Sequence, residues 1–123
     1  MDALLTAEID ASALRQNIET MRGRLANWTP LAPAVKADAY GHGIGQVLPV
    51  LREAGVEHAT VAHLFEAIEL RELGWDRPIL CLAPMLDGDD QERIRRQARL
   101  AIEHDISMTV TSPAEARHLA DIA

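Results

Sequence analysis

The sequence predicts an α/β fold in which parallel strands alternate with helices. Short apolar runs of strand length recur along the chain, and segments with helical spacing of apolar residues follow them. The run over residues 31–37 is apolar throughout, which is typical of a parallel strand buried on both faces. Such alternation implies βαβ units with right-handed crossovers. Half of an eight-stranded α/β barrel or a small open sheet satisfies it, since a whole barrel typically needs about 250 residues.

The first predicted elements are two strands with a helix between them. Residues 6–10 (TAEID) form a strand candidate, and Asp10 or Ser12 can cap the helix that follows. One face of that helix carries the apolar side chains of Leu14, Ile18, Met21 and Leu25. The second strand is predicted over residues 31–37 (LAPAVKA), with Pro33 near its start because proline has no N–H for a ladder bond.

The remaining elements repeat this order. A helix over residues 46–54 is predicted to end at Gly55, with Pro49 either kinking it or marking its first turn. Strands are predicted over residues 58–63, 78–83 and 106–111, and helices over 65–73 and from the acids of residues 87–90. Ser112 begins a capping box with Pro113 at the first helical position, and this last helix is predicted to continue to Ala123.

Composition excludes several functional classes. The net charge is −7 and no basic cluster is present, which argues against binding to nucleic acid or to an anionic membrane. The single cysteine, Cys81, permits no intrachain disulfide and fits a reducing compartment. The N-terminus lacks the basic and apolar regions of a signal peptide, and no run is long enough to span a membrane. These features predict a soluble cytoplasmic protein.

A lysine lies where α/β proteins collect their catalytic groups. Lys36 is at the predicted carboxyl end of the 31–37 strand. Partial withdrawal from water there favours the neutral amine, the form that adds to a carbonyl to give a Schiff base. Tyr40 follows four residues later, where its phenol can reach a phosphate. Position alone favours a lysine that simply points into solvent at the strand end.

The segment AVKADAYGHG, residues 34–43, resembles the cofactor-lysine signature of the alanine racemase family at every position from Val35 to Gly43. Residues 6–17 are similar to the family's opening segment. Further similarities to its second, third and fourth barrel units are Glu66-Ala67, Leu70-Arg71, Leu73-Gly74, Pro78-Ile79-Leu80 and residues 106–112.

The resemblance implies a fold-type III enzyme that depends on pyridoxal 5'-phosphate, with this chain as the first half of its TIM-type (β/α)8 barrel. Lys36 would hold the cofactor as a Schiff base and act as general base on one face of the substrate Cα. Tyr40 would hydrogen-bond the cofactor phosphate. Leu82 would line the cofactor pocket, although in an apolar strand it is also an ordinary core residue. The reaction would interconvert L- and D-alanine, which supplies D-alanine for peptidoglycan synthesis.

Two groups that the resemblance implies are missing from residues 1–123. The second base is a tyrosine from the C-terminal β-domain of the partner subunit in a homodimer, whereas Tyr40 is the only tyrosine here. The arginine that faces the pyridine nitrogen belongs to a later barrel strand. We therefore expect the N-terminal portion of a barrel domain, without its second half and β-domain, that is a poor racemase alone. Alternatives are a serine racemase, an aldolase, a cofactor-storage protein, or a non-catalytic half-barrel that associates through open sheet edges.

Other patterns are assigned structural roles. The glycines of residues 41–45 permit a tight turn, since Gln46 stands where a dinucleotide fingerprint needs glycine. His42 is predicted to orient that turn by hydrogen bonding. Cys81 is predicted to pack as a small hydrophobe. Residues 87–90 (DGDD) faintly resemble a calcium loop but favour a helix cap. His58 and His63 are predicted to point apart, so no metal site is expected.

Overall fold

The computed structural model describes residues 4–85 and 90–123, and within them helices pack on one face of a parallel sheet. The strands are β1 Ala59–Val61, β2 Ile79–Pro84 and β3 Ile106–Thr109, hydrogen-bonded in the order β1-β2-β3. The helices are α1 Ala11–Arg22, the single-turn α2 Lys36–Tyr40, α3 Ile44–Glu53, α4 Leu64–Glu72, α5 Gln91–Glu103 and α6 Pro113–Ile122. The predicted strand–helix alternation is therefore present.

Residues 31–35 extend this sheet as a fourth parallel segment beside β1. The N–H of His58 donates to Leu31 O (3.0 Å), that of Thr60 to Pro33 O (3.0 Å), and that of Val35 to Thr60 O (2.8 Å). The predicted strand over residues 31–37 is nevertheless too long. Only Ala34 pairs with Thr60 as a bridge, because the backbone leaves the extended conformation at Val35 (ψ 20°).

The predicted strand over residues 6–10 is wrong. Among the described residues, this stretch has no strand beside it, and a strand without a partner leaves its backbone groups unpaired. Its last residue has a different role. The Asp10 carboxylate accepts from the N–H groups of Ser12 (2.9 Å) and Ala13 (3.0 Å), so Asp10 and not Ser12 caps α1.

The other helices differ from expectation mainly at their starts. Helix α3 begins at Ile44, two residues early, and Pro49 lies in its interior and not in its first turn. Helix α5 is capped by Asp90, whose carboxylate accepts from Arg93 N–H (3.0 Å); the predicted opening over residues 87–89 lies outside the described residues. Helix α6 has the predicted cap, since Ser112 Oγ accepts from Glu115 N–H (3.2 Å). In the described chain, no helix is both long and apolar enough to cross a membrane.

The core lies between the sheet and the helices, on one face only. Its fully buried side chains include Trp75, Leu70, Ile79, Met85, Val56, Val61 and Cys81. Along β2 burial alternates, with Ile79 and Cys81 facing the helices, and Leu80 and Leu82 exposed by 39% and 44%. None of the described elements covers the second face of β2. Residues 31–35 show the same alternation, since Leu31 and Val35 are buried and Ala32 and Ala34 are exposed, so the burial on both faces predicted for the 31–37 run is wrong.

Candidate functional site

Lys36 lies at the carboxyl end of the segment that pairs with β1, as the sequence predicts. Val35 makes the last ladder bond, and Lys36 follows it directly as the first residue of α2. The side chain is half-buried. Since carboxyl ends of parallel strands meet at one edge of a sheet, Lys36 lies at the same edge as the ends of β1 and β2.

The backbone after Lys36 turns in the left-handed sense. Ala37, Asp38, Ala39 and Tyr40 have φ values of 51°, 54°, 54° and 56°, and Gly41 continues at 83°. Left-handed backbone costs roughly 1–2 kcal/mol for each residue that carries a Cβ. Four such residues in succession therefore require compensating contacts, and turns of this kind cluster at functional sites.

Hydrogen bonds within the loop supply part of that compensation. The Asp38 carboxylate accepts from Ile44 N–H (2.7 Å), which caps α3 and explains its early start. The Asp38 carbonyl accepts from Gly43 N–H (3.0 Å). His42 Nδ1 donates to Ala39 O at 2.8 Å, which confirms the predicted turn-orienting role of this histidine.

A glutamate from the next βα unit supplies the rest. Glu66, in the first turn of α4, accepts from Ala37 N–H at 2.6 Å through Oε1. Its Oε2 accepts from Ala62 N–H and His63 N–H, both at 2.9 Å. Burial alone would raise the pKa of the Glu66 carboxyl, but these three backbone donors outweigh it and lower the pKa. The carboxylate therefore joins the ends of the first two parallel segments beside Lys36.

Tyr40 ends the left-handed turn and lies next to the lysine. The Lys36 Nζ atom is 5.9 Å from the centre of the Tyr40 ring, within cation–π distance. The ring is 60% exposed, so its phenol is accessible from solvent. The turn therefore brings together an amine and a phenol, two of the three residues singled out for the cofactor.

Leu82 lies on the face of the sheet that the helices leave uncovered. The parallel register aligns Ala34 with Thr60 and Thr60 with Leu80, so these three residues form one row across the sheet. Leu82 is two residues further along β2, on the same face and nearer the carboxyl end where Lys36 lies. Two strand spacings, roughly 10 Å, separate the segment that carries Lys36 from β2, which carries Leu82.

Residues 9–123 match the family model described as alanine racemase, N-terminal domain. The chain belongs to the alanine racemase family. It is 42% identical over 101 residues to an alanine racemase of Acidithiobacillus ferrooxidans, covering 82% of this chain and 28% of that protein. It is 36% identical over 118 residues to one of Corynebacterium glutamicum, covering 96% and 30%. The chain thus spans less than a third of the length of these relatives.

Solved structures of alanine racemases agree in fold. The enzyme from E. faecalis superposes with a TM-score of 0.78 at 34% identity, over 91% of this chain and 28% of that one. A histidine racemase from Leuconostoc mesenteroides subsp. sake reaches 0.77 at 26% identity, over 91% and 28%. The family match and these structures confirm the predicted parallel βα repeats as the first part of the alanine racemase barrel.

The remaining candidate residues have structural roles. Cys81 is fully buried and donates to Ala62 O (3.3 Å), as expected of a small core residue, and burial raises the pKa of its thiol. The His63 ring stacks on Phe65 with 5.6 Å between ring centres. Over residues 4–85 and 90–123, no three His, Cys, Asp or Glu side chains converge to hold a metal ion.

Sequence reasoning missed the contacts of Glu66, which it noted only as part of a family resemblance. A capping signal was present, since Glu66 lies three residues after His63, at the position where a glutamate reaches back to the helix start. Histidine is not among the preferred cap residues, which hides that signal. The bond to Ala37 has no sequence signal because the two residues are 29 positions apart.

Proposed function

We propose that this chain supplies the cofactor-lysine half of an alanine racemase active site. Lys36 is proposed to bind pyridoxal 5'-phosphate in an isomerase that interconverts L- and D-alanine and so provides D-alanine for peptidoglycan. The observation that carries this proposal is the lysine itself, half-buried at the carboxyl end of a parallel segment and followed by a braced left-handed turn.

Composition supports a special role for this amine. Twelve residues of the chain are lysine or arginine, and Lys36 is the only lysine among them, so the other eleven are arginines. An arginine side chain stays protonated in proteins and cannot serve as the amine nucleophile. The chain thus carries its surface positive charge on arginine and has one amine side chain, at the strand ends.

The residues present fit the cofactor. When bound, pyridoxal phosphate supplies an electron sink for the carbanion formed at the substrate Cα. The Lys36 amine would bind its aldehyde carbon covalently and, once released, remove or return the Cα proton on the lysine's own face. The Tyr40 phenol would donate a hydrogen bond to its phosphate. Leu82, on the open face of the sheet, would help to line the cofactor pocket.

The whole enzyme is proposed to need more than residues 1–123. We propose that this segment is the N-terminal portion of the barrel domain, and that further barrel strands and a β-domain complete the site. A proton acceptor on the opposite face of Cα would come from the partner subunit of a homodimer. By resemblance to the family, the enzyme would act in the cytoplasm, with alanine as its small-molecule substrate and no nucleic-acid or membrane partner.

A second candidate differs in substrate. The structural similarity to a histidine racemase indicates that the same scaffold serves another amino acid. Lys36 and Tyr40 do not discriminate between substrates, because both are assigned to the cofactor and to Cα. Comparing the racemisation of alanine, serine and histidine by the protein with its whole barrel would separate the candidates; turnover of histidine or serine alone would overturn the alanine assignment.

The test of the cofactor site is borohydride reduction in the presence of pyridoxal phosphate, followed by peptide mass spectrometry. Because Lys36 is the only lysine, the α-amino group is the one other primary amine and serves as an internal reference. We expect labelling at Lys36 to exceed labelling at the α-amino group. Lys36→Ala should abolish the labelled peptide that contains residue 36 and leave the labelled N-terminal peptide. An ordinary exposed lysine would label less than the α-amino group, because its pKa of about 10.4 leaves less neutral amine than the α-amino pKa of about 8. Labelling at Lys36 that does not exceed labelling at the α-amino group would overturn the proposal.

A further inference from the structure

The described chain uses a glutamate near the start of a helix in the same way twice. Glu66 in α4 and Glu115 in α6 each turn back to accept a backbone N–H from the end of the preceding strand segment. Glu115 accepts from Thr111 N–H (2.6 Å) and from the Thr111 hydroxyl (3.1 Å), and its side chain is buried. All these contacts of Glu115 stay within its own βα unit.

Glu66 differs because it also reaches the neighbouring unit. One oxygen serves its own turn, accepting from Ala62 and His63, while the other accepts from Ala37. Ala37 is the residue directly after Lys36 and the first residue of the left-handed turn. Within the described residues, these three N–H groups have no other acceptor.

We propose that Glu66 is a positioning residue for Lys36, and that its carboxylate sets the direction of the amine by fixing the peptide that follows the lysine. This inference rests on the proposed function of Lys36 as the cofactor lysine. The Ala37 N–H bond anchors the start of a turn whose backbone conformation is unfavourable for residues with a Cβ. Without that anchor the turn relaxes toward ordinary backbone, and Lys36 and Tyr40 move apart.

The role requires a carboxylate and not an amide. Two carboxylate oxygens accept from several donors at once, whereas glutamine offers one oxygen and a donating NH2 group. In Glu66→Gln, the NH2 group faces at least one backbone N–H, so a contact is lost and replaced by two opposed donors. Glu115→Gln makes the same chemical change at the matched position, away from Lys36, and is the control.

The first measurement is the ratio of labelling at Lys36 to labelling at the α-amino group, with pyridoxal phosphate and borohydride. We expect Glu66→Gln to lower this ratio at least about tenfold, in line with loss of a hydrogen bond to a charged group. Glu115→Gln should stay within about twofold, because it perturbs only its own turn. Where wild-type Lys36 labels in excess of the α-amino group, an unchanged ratio in Glu66→Gln, or an equal fall in both variants, overturns the inference.

The second measurement needs no cofactor. Lysine labelled with 13C gives signals from one side chain only, so NMR reports the environment of Lys36 directly. We expect those signals to shift in Glu66→Gln and not in Glu115→Gln. If wild-type Lys36 labels no better than the α-amino group but its signals still shift, the proposed function fails and the positioning inference stands.

A third measurement is used if circular dichroism shows that the Glu66→Gln chain does not fold. Hydrogen exchange on the wild-type chain then tests the contact itself. Because Ala37 lies at an exposed turn, protection of its amide requires the bond to Glu66. Protection of Ala37 together with Ala62 and His63 supports the inference, and exchange of Ala37 at the rate of an unstructured peptide overturns it.

Discussion

Asp38 offers the sharpest test of how the loop after Lys36 is held. Its carboxylate caps α3 through Ile44 N–H (2.7 Å), and its own backbone has a φ of 54°. Asp38→Ala removes the cap, which costs about 1 kcal/mol, and a negative charge at a helix start, which contributes roughly 0.3–1 kcal/mol. Alanine also tolerates left-handed backbone less well than aspartate. With up to about 1 kcal/mol for this backbone preference added to the cap and the charge, we expect a total loss of about 1.3–3 kcal/mol in the free energy of unfolding.

Two further variants separate these contributions. Asp38→Asn keeps a capping oxygen and a residue that accepts left-handed backbone, so it should lose only the charge contribution, about 0.3–1 kcal/mol. Asp90→Ala removes an equivalent cap from α5 at a residue with an ordinary φ of −85°. It should cost about 1–2 kcal/mol and leave the labelling of Lys36 unchanged.

Urea unfolding followed by circular dichroism measures the free energy of unfolding of the three variants and the wild type. The dependence of that free energy on urea concentration should be the same in all four. Labelling of Lys36 relative to the α-amino group is measured on the same samples. Asp38→Ala within about 0.5 kcal/mol of wild type would refute the reasoning, because it would show that Asp38 neither caps α3 nor stabilises the turn. The reasoning would also be refuted if Asp38→Ala and Asp90→Ala lowered Lys36 labelling equally, because the effect would then not depend on the turn that contains Asp38.

Three further predictions concern other parts of the fold. Arg71 donates to four backbone carbonyls around the loops that precede β2 and β3. Arg71→Lys should therefore lower the free energy of unfolding in urea by about 2–4 kcal/mol. Arg99→Lys, a matched change on α5, should change it by no more than about 0.5 kcal/mol. Burial raises the pKa of the Cys81 thiol, so an aromatic disulfide reagent should modify it only on unfolding; rapid reaction of the folded chain would contradict this. Backbone donors lower the pKa of Glu66, so the stability that its carboxylate contributes is complete above the unfolded-state pKa of about 4.3 and is lost as pH falls through the folded-state pKa. The difference in free energy of unfolding between wild type and Glu66→Gln should therefore shrink in acid. A difference that stays constant with pH would refute this.

Several features were predictable because they depend on neighbours close in the chain. The caps at Asp10 and Ser112 and the order of strands and helices follow from local spacing. The stripe predicted for α1 holds only in part, because Leu14 and Ile18 pack on the core whereas Met21 is 59% exposed and Leu25 lies beyond the end of the helix at Arg22. The position of Lys36 at a strand end followed from the apolar run before it. Whether a segment forms a strand was less predictable. Residues 6–10 have the pattern of a strand but no neighbouring strand among the described residues.

By itself, then, the sequence determined the βα order, the place of the lysine and the family to which the chain belongs. Only the tertiary structure decided how that lysine is held. In the left-handed turn over residues 37–40 only Asp38 has a local tolerance for that backbone, so the sequence does not predict four such residues in succession. The Glu66 carboxylate that braces the turn comes from 29 residues away. The physical reason is that a costly backbone conformation persists only where distant groups meet to stabilise it, and sequence spacing does not encode such meetings.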